Sequence, residues 1–132
     1  MKSKIWVEII ISNFDMSYKD LSKLIGVQPT EGENAGDLYK SPSGKEFILG
    51  LSSWTLESML APYAPIEEQI KDILNRIKNK DGLKEVSKKY PLTLNIVIHM
   101  SDLSPFIGWS NDIMHELAKY NFSWGLDISV EK

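Results

Sequence analysis

Cysteine is absent from this sequence of 132 residues. Disulfide bonds, zinc–thiolate sites and cysteine nucleophiles are therefore excluded, and with them the disulfide-stabilised folds of small secreted proteins. Long apolar runs are absent too, since no stretch approaches the roughly 20 residues that a membrane-spanning helix needs. The first apolar run, residues 5–11, is interrupted by Glu8, and no signal-peptide cleavage site follows it. We therefore expect a cytoplasmic protein that does not bind membranes.

An excess of basic charge is also missing. The chain carries 15 Lys and Arg against 18 Asp and Glu, a net charge of −3. Nucleic-acid-binding proteins usually present a basic patch that neutralises phosphates. The lysines are densest over residues 71–89, but Asp72, Asp81 and Glu85 lie among them. This mixture is typical of a solvated helix face, so we expect no nucleic-acid partner.

Catalytic and cofactor-binding motifs are a third absence. The sequence contains no glycine-rich phosphate loop, no G-x-S-x-G elbow and no H-E-x-x-H motif. What it does contain is an ordinary globular composition, 42% hydrophobic and 25% charged. A chain of this length can bury one core without help from a metal. We predict a single domain over residues 1–132, with no cofactor and no bound metal.

Alternating apolar residues predict four strands, over 5–12, 47–55, 92–100 and 124–130. In the last of these strands the alternation directs one set of side chains into the core: Trp124, Leu126, Ile128 and Val130.

Helical spacing of apolar residues predicts helices over 18–25, from Ile66 to Ile77, and after Ser110. Ser17 and Ser110 are the predicted N-caps, and Gly26 ends the first helix. Asp81-Gly82 is expected to end the second helix, with one more short helical turn near 83–90. The polar segment 30–46 is the longest predicted loop, and loops of this length are often functional.

The order of elements is βαβ, then a helix, then βαβ. Two such units predict an α+β fold, a ferredoxin-like plait whose four-stranded sheet has helices on one face. A doubly wound parallel sheet is the alternative, but four short strands are few for it.

If helices cover one face of the sheet, the other face is the candidate site. We predict that it carries Trp6, Glu8, Trp54, His99 and Asp127. A mixture of aromatic, apolar and ionisable groups suits contact with a protein or a ligand. The simpler alternative is a solvated sheet face with a few apolar residues.

The loop before the last helix contains a further aromatic candidate. Trp109 follows Pro105, Phe106 and Gly108, and this segment either folds back onto the core or presents an anchor to a partner. Aromatic residues of this kind dominate interface hot spots.

Two constellations of ionisable residues suggest chemistry. His99 with Asp127 or Glu8 could supply a general base and its orienting carboxylate, although no nucleophile or oxyanion motif accompanies them. The helical spacing of Asp112, His115 and Glu116 is compatible with a metal. A charged outer helix face explains the same spacing, and we therefore predict no metal site.

Several segments resemble one bacterial family. They are LIGVQP at 24–29, SWTLES at 53–58, the helix from Ile66 and GLDIS at 125–129, and they span nearly the whole chain. The sequence resembles the family known as domain of unknown function 4279. The closing motif departs from the family pattern, which often has a second acidic or aromatic residue where Ser129 and Val130 stand here. The resemblance implies a small bacterial cytoplasmic protein without an assigned activity, and immunity proteins that neutralise toxins are an analogy.

The leading hypothesis is a non-enzymatic protein-binding module that uses the open sheet face and the adjoining loops, with Trp6, Trp54, Trp109 and Asp127 as contact residues. The alternative is a small-molecule-binding or enzymatic domain around Glu8, His99 and Asp127. A homodimer formed through sheet faces is a third hypothesis.

Overall fold

The structure is a computed structural model that describes residues 3–101 and 107–130. Within these residues the strands are β1 (Lys4–Ser12), β2 (Glu31–Glu33), β3 (Leu38–Lys40), β4 (Glu46–Ile48), β5 (Ser53–Glu57), β6 (Leu92–Met100) and β7 (Ser123–Val130). The helices in the same residues are α1 (Tyr18–Ile25), α2 (Ile66–Arg76), α3 (Lys80–Lys89) and α4 (Asn111–Leu117).

The main sheet has five strands in the order β2-β5-β1-β6-β7, and β3 pairs with β4 in a separate hairpin. The chain therefore has the predicted α+β architecture. β1 is antiparallel to both β5 and β6, whereas β6 and β7 are parallel. Of the two predicted βαβ units, only β6-α4-β7 has parallel strands, so the ferredoxin-like plait is not confirmed.

Residues 30–57 differ most from their prediction. The expected loop 30–46 contains β2 and β3, and the expected strand 47–55 is divided between β4 and β5. Gly44, with φ 87°, forms the turn between β3 and β4. The amide of Leu49 still donates to Asp37 of the hairpin, and the chain then crosses to the main sheet. The apolar pattern concealed the division because a hairpin strand and a sheet strand alternate in the same way.

The core lies between one face of the main sheet and the helices. Every second residue of β1 and of β6 is buried, together with the apolar stripes of α2 and α3. Fully burying an Ile or Leu side chain stabilises the fold by about 1.5–3 kcal/mol. These layers therefore fix which face of the sheet stays open.

Gln69 joins α2 to the beginning of β1, where β5 offers no partner. Its side-chain amide accepts a hydrogen bond from the Val7 N–H at 3.1 Å and donates to the Ile5 carbonyl at 2.8 Å. The Ile5 N–H donates to the Pro62 carbonyl at 2.8 Å. A buried side chain thus replaces a missing strand neighbour, which satisfies backbone groups that would otherwise be costly to bury.

α1 and α3 meet end to end. Ser17 caps α1 as predicted, and Gly26 ends it in the left-handed conformation, with φ 81°. A Cβ on Gly82 would lie 2.0 Å from the Leu24 carbonyl oxygen, so only glycine allows this approach. Gly82 lies inside α3, which is a ten-residue helix and not the short turn that the sequence predicts.

Candidate functional site

The face of the main sheet opposite the helices carries most of the predicted site residues. Trp6 and Glu8 alternate with the buried positions of β1, and His99 does the same in β6. Asp127 is the register partner of Val97 on this open face. Trp6 is 37% exposed and its ring meets the His99 ring edge-on, with centroids 4.7 Å apart.

Trp54 is not on the open face, so that placement was wrong. It is 0% exposed, pairs with Ile11 and lies on the core side of β5. Its indole N–H donates to Ser22 Oγ at 3.0 Å, and the Ser22 hydroxyl donates to the Tyr18 carbonyl at 2.7 Å. The predicted strand 47–55 is interrupted, so the alternation counted from Phe47 does not continue to Trp54. Trp54 is a core residue with a satisfied polar group.

Carboxylates cluster on the open face. Glu8 accepts a hydrogen bond from Asn95 Nδ2 at 3.0 Å, and Glu57 lies directly opposite it on β5. Burial raises the pKa of Glu57, and the neighbouring charges of Glu8 and Glu31 raise it further. This end of the open face is therefore negative, and like charges opposite each other disfavour close approach of an acidic partner.

The predicted catalytic pair is not assembled. His99 is the register partner of Lys4 and Ser129, which places it four positions along the sheet from Glu8. Asp127 lies diagonally from His99. Within residues 3–101 and 107–130, no hydrogen bond or ion pair joins His99 to either carboxylate. A general base needs such contact to be oriented, and this geometry does not supply it.

The described part of the chain contains no group of three His, Asp or Glu side chains that could hold a metal ion. Glu116 of the α4 cluster accepts instead from Lys119 Nζ at 2.9 Å. The described helices also include none long and apolar enough to cross a membrane.

A further departure from the sequence prediction is in β7. We call its four alternating apolar residues the β7 stripe: Trp124, Leu126, Ile128 and Val130. Their register partners in β6 are core-side residues, so the stripe lies on the helix side as the sequence predicts. The stripe is nevertheless 44–68% exposed. The prediction that these side chains are buried in the core is therefore wrong.

The stripe is exposed because α4 is too short to cover it. α4 has only seven residues. Its Ile113 and Leu117 are buried in the core, while Met114 remains exposed. Trp109 stacks on Trp124 with ring centroids 4.9 Å apart and planes 6° apart. These rings and their neighbours enclose a groove of about 270 Å³, lined by Ile96, Ile107, Trp109, Met114, Trp124, Gly125 and Leu126.

Trp109 is thus placed at this groove and not on the open face. It is half-buried, and it packs against the buried core while forming one wall of the groove. Phe106 and Pro105, which belong to the same predicted loop, lie outside the described residues.

β7 is also an edge strand. β6 pairs with one side of it, and in residues 3–101 and 107–130 no strand pairs with the other. Proteins usually protect such edges with short strands, charges, proline or bulges. The opposite edge, β2, has three residues and carries Glu31 and Glu33, whereas β7 has eight residues and one charge, Asp127. A long apolar edge strand is a site where another chain pairs.

Exposed apolar side chains occur on the β3–β4 hairpin as well. Leu38 and Ile48 are paired and exposed, and the rings of Tyr39 and Phe47 contact each other 4.9 Å apart. The hairpin strands have three residues each and pair with one another. Their apolar side chains are exposed to a similar degree as those of β7, but their free edge is shorter.

Comparison with known proteins identifies the family but no activity. The family model described as Domain of unknown function (DUF4279) matches residues 2–131, so this chain belongs to that family and the resemblance is confirmed. No curated protein and no solved structure matches the chain.

Proposed function

We propose that this protein is a protein-binding module whose contact surface is the β7 stripe together with Trp109 and Met114. The observation that carries the proposal is the exposure of four alternating apolar side chains, 44–68% each, on an edge strand. Exposed apolar patches of this kind on a folded domain mark interaction surfaces.

The expected strength of the contact follows from the exposed area. Each stripe residue exposes on the order of 100 Å², and burying about 400 Å² is worth about 10 kcal/mol before association costs. Those costs are about 4–15 kcal/mol. The stripe alone therefore supports weak binding, and stable binding also requires the groove beside Trp109 and the backbone hydrogen bonds of the β7 edge.

This surface replaces the open face as the main contact in the proposal. The open face is largely polar, and its Glu8 is already hydrogen-bonded to Asn95. Trp6, Glu8 and His99 remain predicted contact residues, but of a secondary contact on the open face. Asp127 projects to the open side of β7 itself, so a chain that pairs with β7 would also lie beside Asp127.

A protein partner is favoured over a small-molecule ligand. The groove of about 270 Å³ is close to the lower limit of about 300 Å³ for ligand sites. Among residues 3–101 and 107–130 no ionisable side chain lines it, so these residues offer a small molecule neither a charged anchor nor a catalytic group. The unpaired backbone of β7 is, in contrast, a feature that only another chain can use.

The test is capture by the tagged full-length chain from the native lysate, with two matched variants. Leu126→Glu places a charge in the stripe, and Leu51→Glu places the same charge at an equally exposed leucine in the turn before β5, since the two residues are 58% and 62% exposed. We expect wild type and Leu51→Glu to capture the same protein, and Leu126→Glu to lose it.

Two outcomes would contradict the proposal. One is a captured protein that Leu126→Glu retains as well as wild type does. The other is that wild type captures nothing, including untagged copies of itself. Circular dichroism of both variants establishes that a loss of capture is not a loss of folding.

A further inference from the structure

The pattern of side chains on β7 allows its free edge to pair with the same edge of another copy. In an antiparallel pair, residues directly opposite each other lie on the same face of the sheet. A two-fold axis that is perpendicular to the sheet and lies midway between the two strands, level with a residue of β7, therefore places the stripe of one copy beside the stripe of another. An axis between two residues would place Leu126 opposite Asp127 and bring the stripe onto the polar face. The alternation of the side chains therefore allows only two-fold axes that lie level with a residue of β7.

Charge excludes one of these axes, and the length of the overlap selects among the others. An axis at Asp127 would place two like carboxylates directly opposite each other, which is destabilising. An axis at Leu126 places Asp127 opposite Gly125, which has no side chain, and Trp124 opposite Ile128. Ser123 then faces Ser129, so residues 123–129 are paired without opposed charges, and an axis at any other residue of β7 except Asp127 pairs fewer residues of the strand.

Area is consistent with the same arrangement. Six exposed side chains offer at most on the order of 100 Å² each to the contact, about 600 Å² per copy. They are the four residues of the β7 stripe with Ile107 and Met114. A standard specific interface buries about 800 Å² per partner, and the backbone edge of β7 supplies part of the remainder. A two-fold contact also closes on itself and does not extend into a fibre.

We propose that the occupant of the β7 edge is a second copy of this chain. The two β7 strands pair antiparallel about a two-fold axis at Leu126, and five strands from each copy form one continuous sheet with the helices of both on the same side. Ile128 of the second copy lies against Trp124, at the mouth of the groove walled by Trp109. This inference rests on the proposed function and specifies its partner.

The first test is the mass of the full-length protein in sedimentation velocity over a dilution series. We expect wild type and Leu51→Glu to sediment as dimers at the high end of the series. We expect Leu126→Glu to be monomeric throughout, because the axis places the substituted residue opposite itself and the charge acts twice. A wild type that is monomeric at every concentration, or a dimer that Leu126→Glu leaves intact, would overturn the inference.

The absence of cysteine allows a second test that does not require the charged variant to fold. Single substitutions Leu126→Cys and Leu51→Cys are made in the full chain and oxidised at one concentration, at which wild type sediments as a dimer. Directly opposite Cβ atoms are about 4.5–5.5 Å apart across an antiparallel pair, close to the separation that a disulfide accepts. We expect Leu126→Cys to give a covalent dimer and Leu51→Cys to remain monomeric. Equal cross-linking of the two variants contradicts the axis.

The two proposals fail separately. A monomeric wild type whose capture of a different protein depends on Leu126 overturns the second copy and leaves the protein-binding function in place. A monomeric wild type without any Leu126-dependent capture overturns both.

Discussion

β6 and β7 are neighbouring parallel strands with the same apolar alternation, yet their burial is opposite. The core-side residues of β6, Leu94, Ile96 and Ile98, are at most 2% exposed, while their register partners in β7 are 44–58% exposed. The strands differ in what lies above them, since helices cover β6 and the short α4 leaves most of β7 uncovered. The comparison teaches that alternation determines the side to which a residue points, whereas coverage depends on other elements.

The largest expected effect compares two register-paired isoleucines. Ile98→Ala removes a fully buried side chain, and we expect it to lower the free energy of unfolding by about 3 kcal/mol. Ile128→Ala, at its β7 partner, should cost less than about 1 kcal/mol in the single chain. Urea denaturation of both in the Leu126→Glu background, where assembly does not contribute, measures the difference. Equal losses would mean that β7 is covered within one chain.

The next effect concerns how the backbone groups of a strand without a neighbouring strand obtain hydrogen-bond partners. Gln69 supplies hydrogen bonds to the beginning of β1, whereas nothing in the described chain does so for the outer edge of β7. Gln69→Leu should lower the free energy of unfolding by about 2 kcal/mol, because buried backbone groups lose their partners. Asn75→Leu, on the exposed side of the same helix, is the control and should change little. If both variants have a similar midpoint of denaturation, water replaces the Gln69 side chain as the hydrogen-bond partner of β1.

A smaller effect is expected where β6 and β7 touch on the open face. A Cβ on Gly125 would lie 2.5 Å from Asn95 Oδ1, so Gly125→Ala must displace the side chain that donates to Glu8. We expect a loss of about 1 kcal/mol in the free energy of unfolding. In the Asn95→Ala background the same substitution should be close to neutral, and a double-mutant cycle measures the coupling. If the effects of Gly125→Ala and Asn95→Ala are additive, the loss of stability in Gly125→Ala does not arise from its contact with Asn95.

The smallest effect is a pH dependence at α4, the only described helix beside the groove. The hydroxyl and the N–H of Ser110 donate to the Glu67 carboxylate, and these hydrogen bonds lower the pKa of Glu67 below its ordinary value of 4.5. Because the folded pKa is the lower one, this contribution is present above pH 4.5 and is lost as the pH falls through the folded value. The protection of the α4 amides, taken relative to their intrinsic exchange rate at each pH, should therefore fall at acidic pH in wild type. Glu67→Gln should remove that dependence, and an unchanged acid response in the variant would assign it to another group.

The sequence predicted the strands and helices that carry their own periodic pattern. β1, β6 and α1 have nearly the predicted bounds, and both serine caps are present. The predicted end of the second helix at Asp81-Gly82 is wrong, because α2 ends at Arg76 and Asp81-Gly82 lie inside α3. The pairing was not predictable in the same way, because whether β1 and β5 run parallel or antiparallel depends on how the chain returns through α1. The division of residues 47–55 was also hidden, since both of its parts are apolar and alternate.

The candidate site was predictable in part. The alternation placed Trp6, Glu8, His99 and Asp127 on one face, and they lie there. Trp54 was misplaced because a break in the strand changes the parity of every residue after it. The β7 stripe was missed as a surface because its pattern is that of a buried strand. The signal that could have found it is the shortness of the helix after Ser110, which ends seven residues later.

The most direct test of β7 as a contact surface is hydrogen exchange of the backbone amides of residues 123–130 in the intact wild-type chain, measured across a dilution series. If β7 pairs with a second copy, these amides exchange slowly in concentrated protein and faster on dilution, while the amides of β6 do not change. In Leu126→Glu they should exchange fast at every concentration. Exchange in β7 that is independent of concentration and identical in the variant would contradict the pairing.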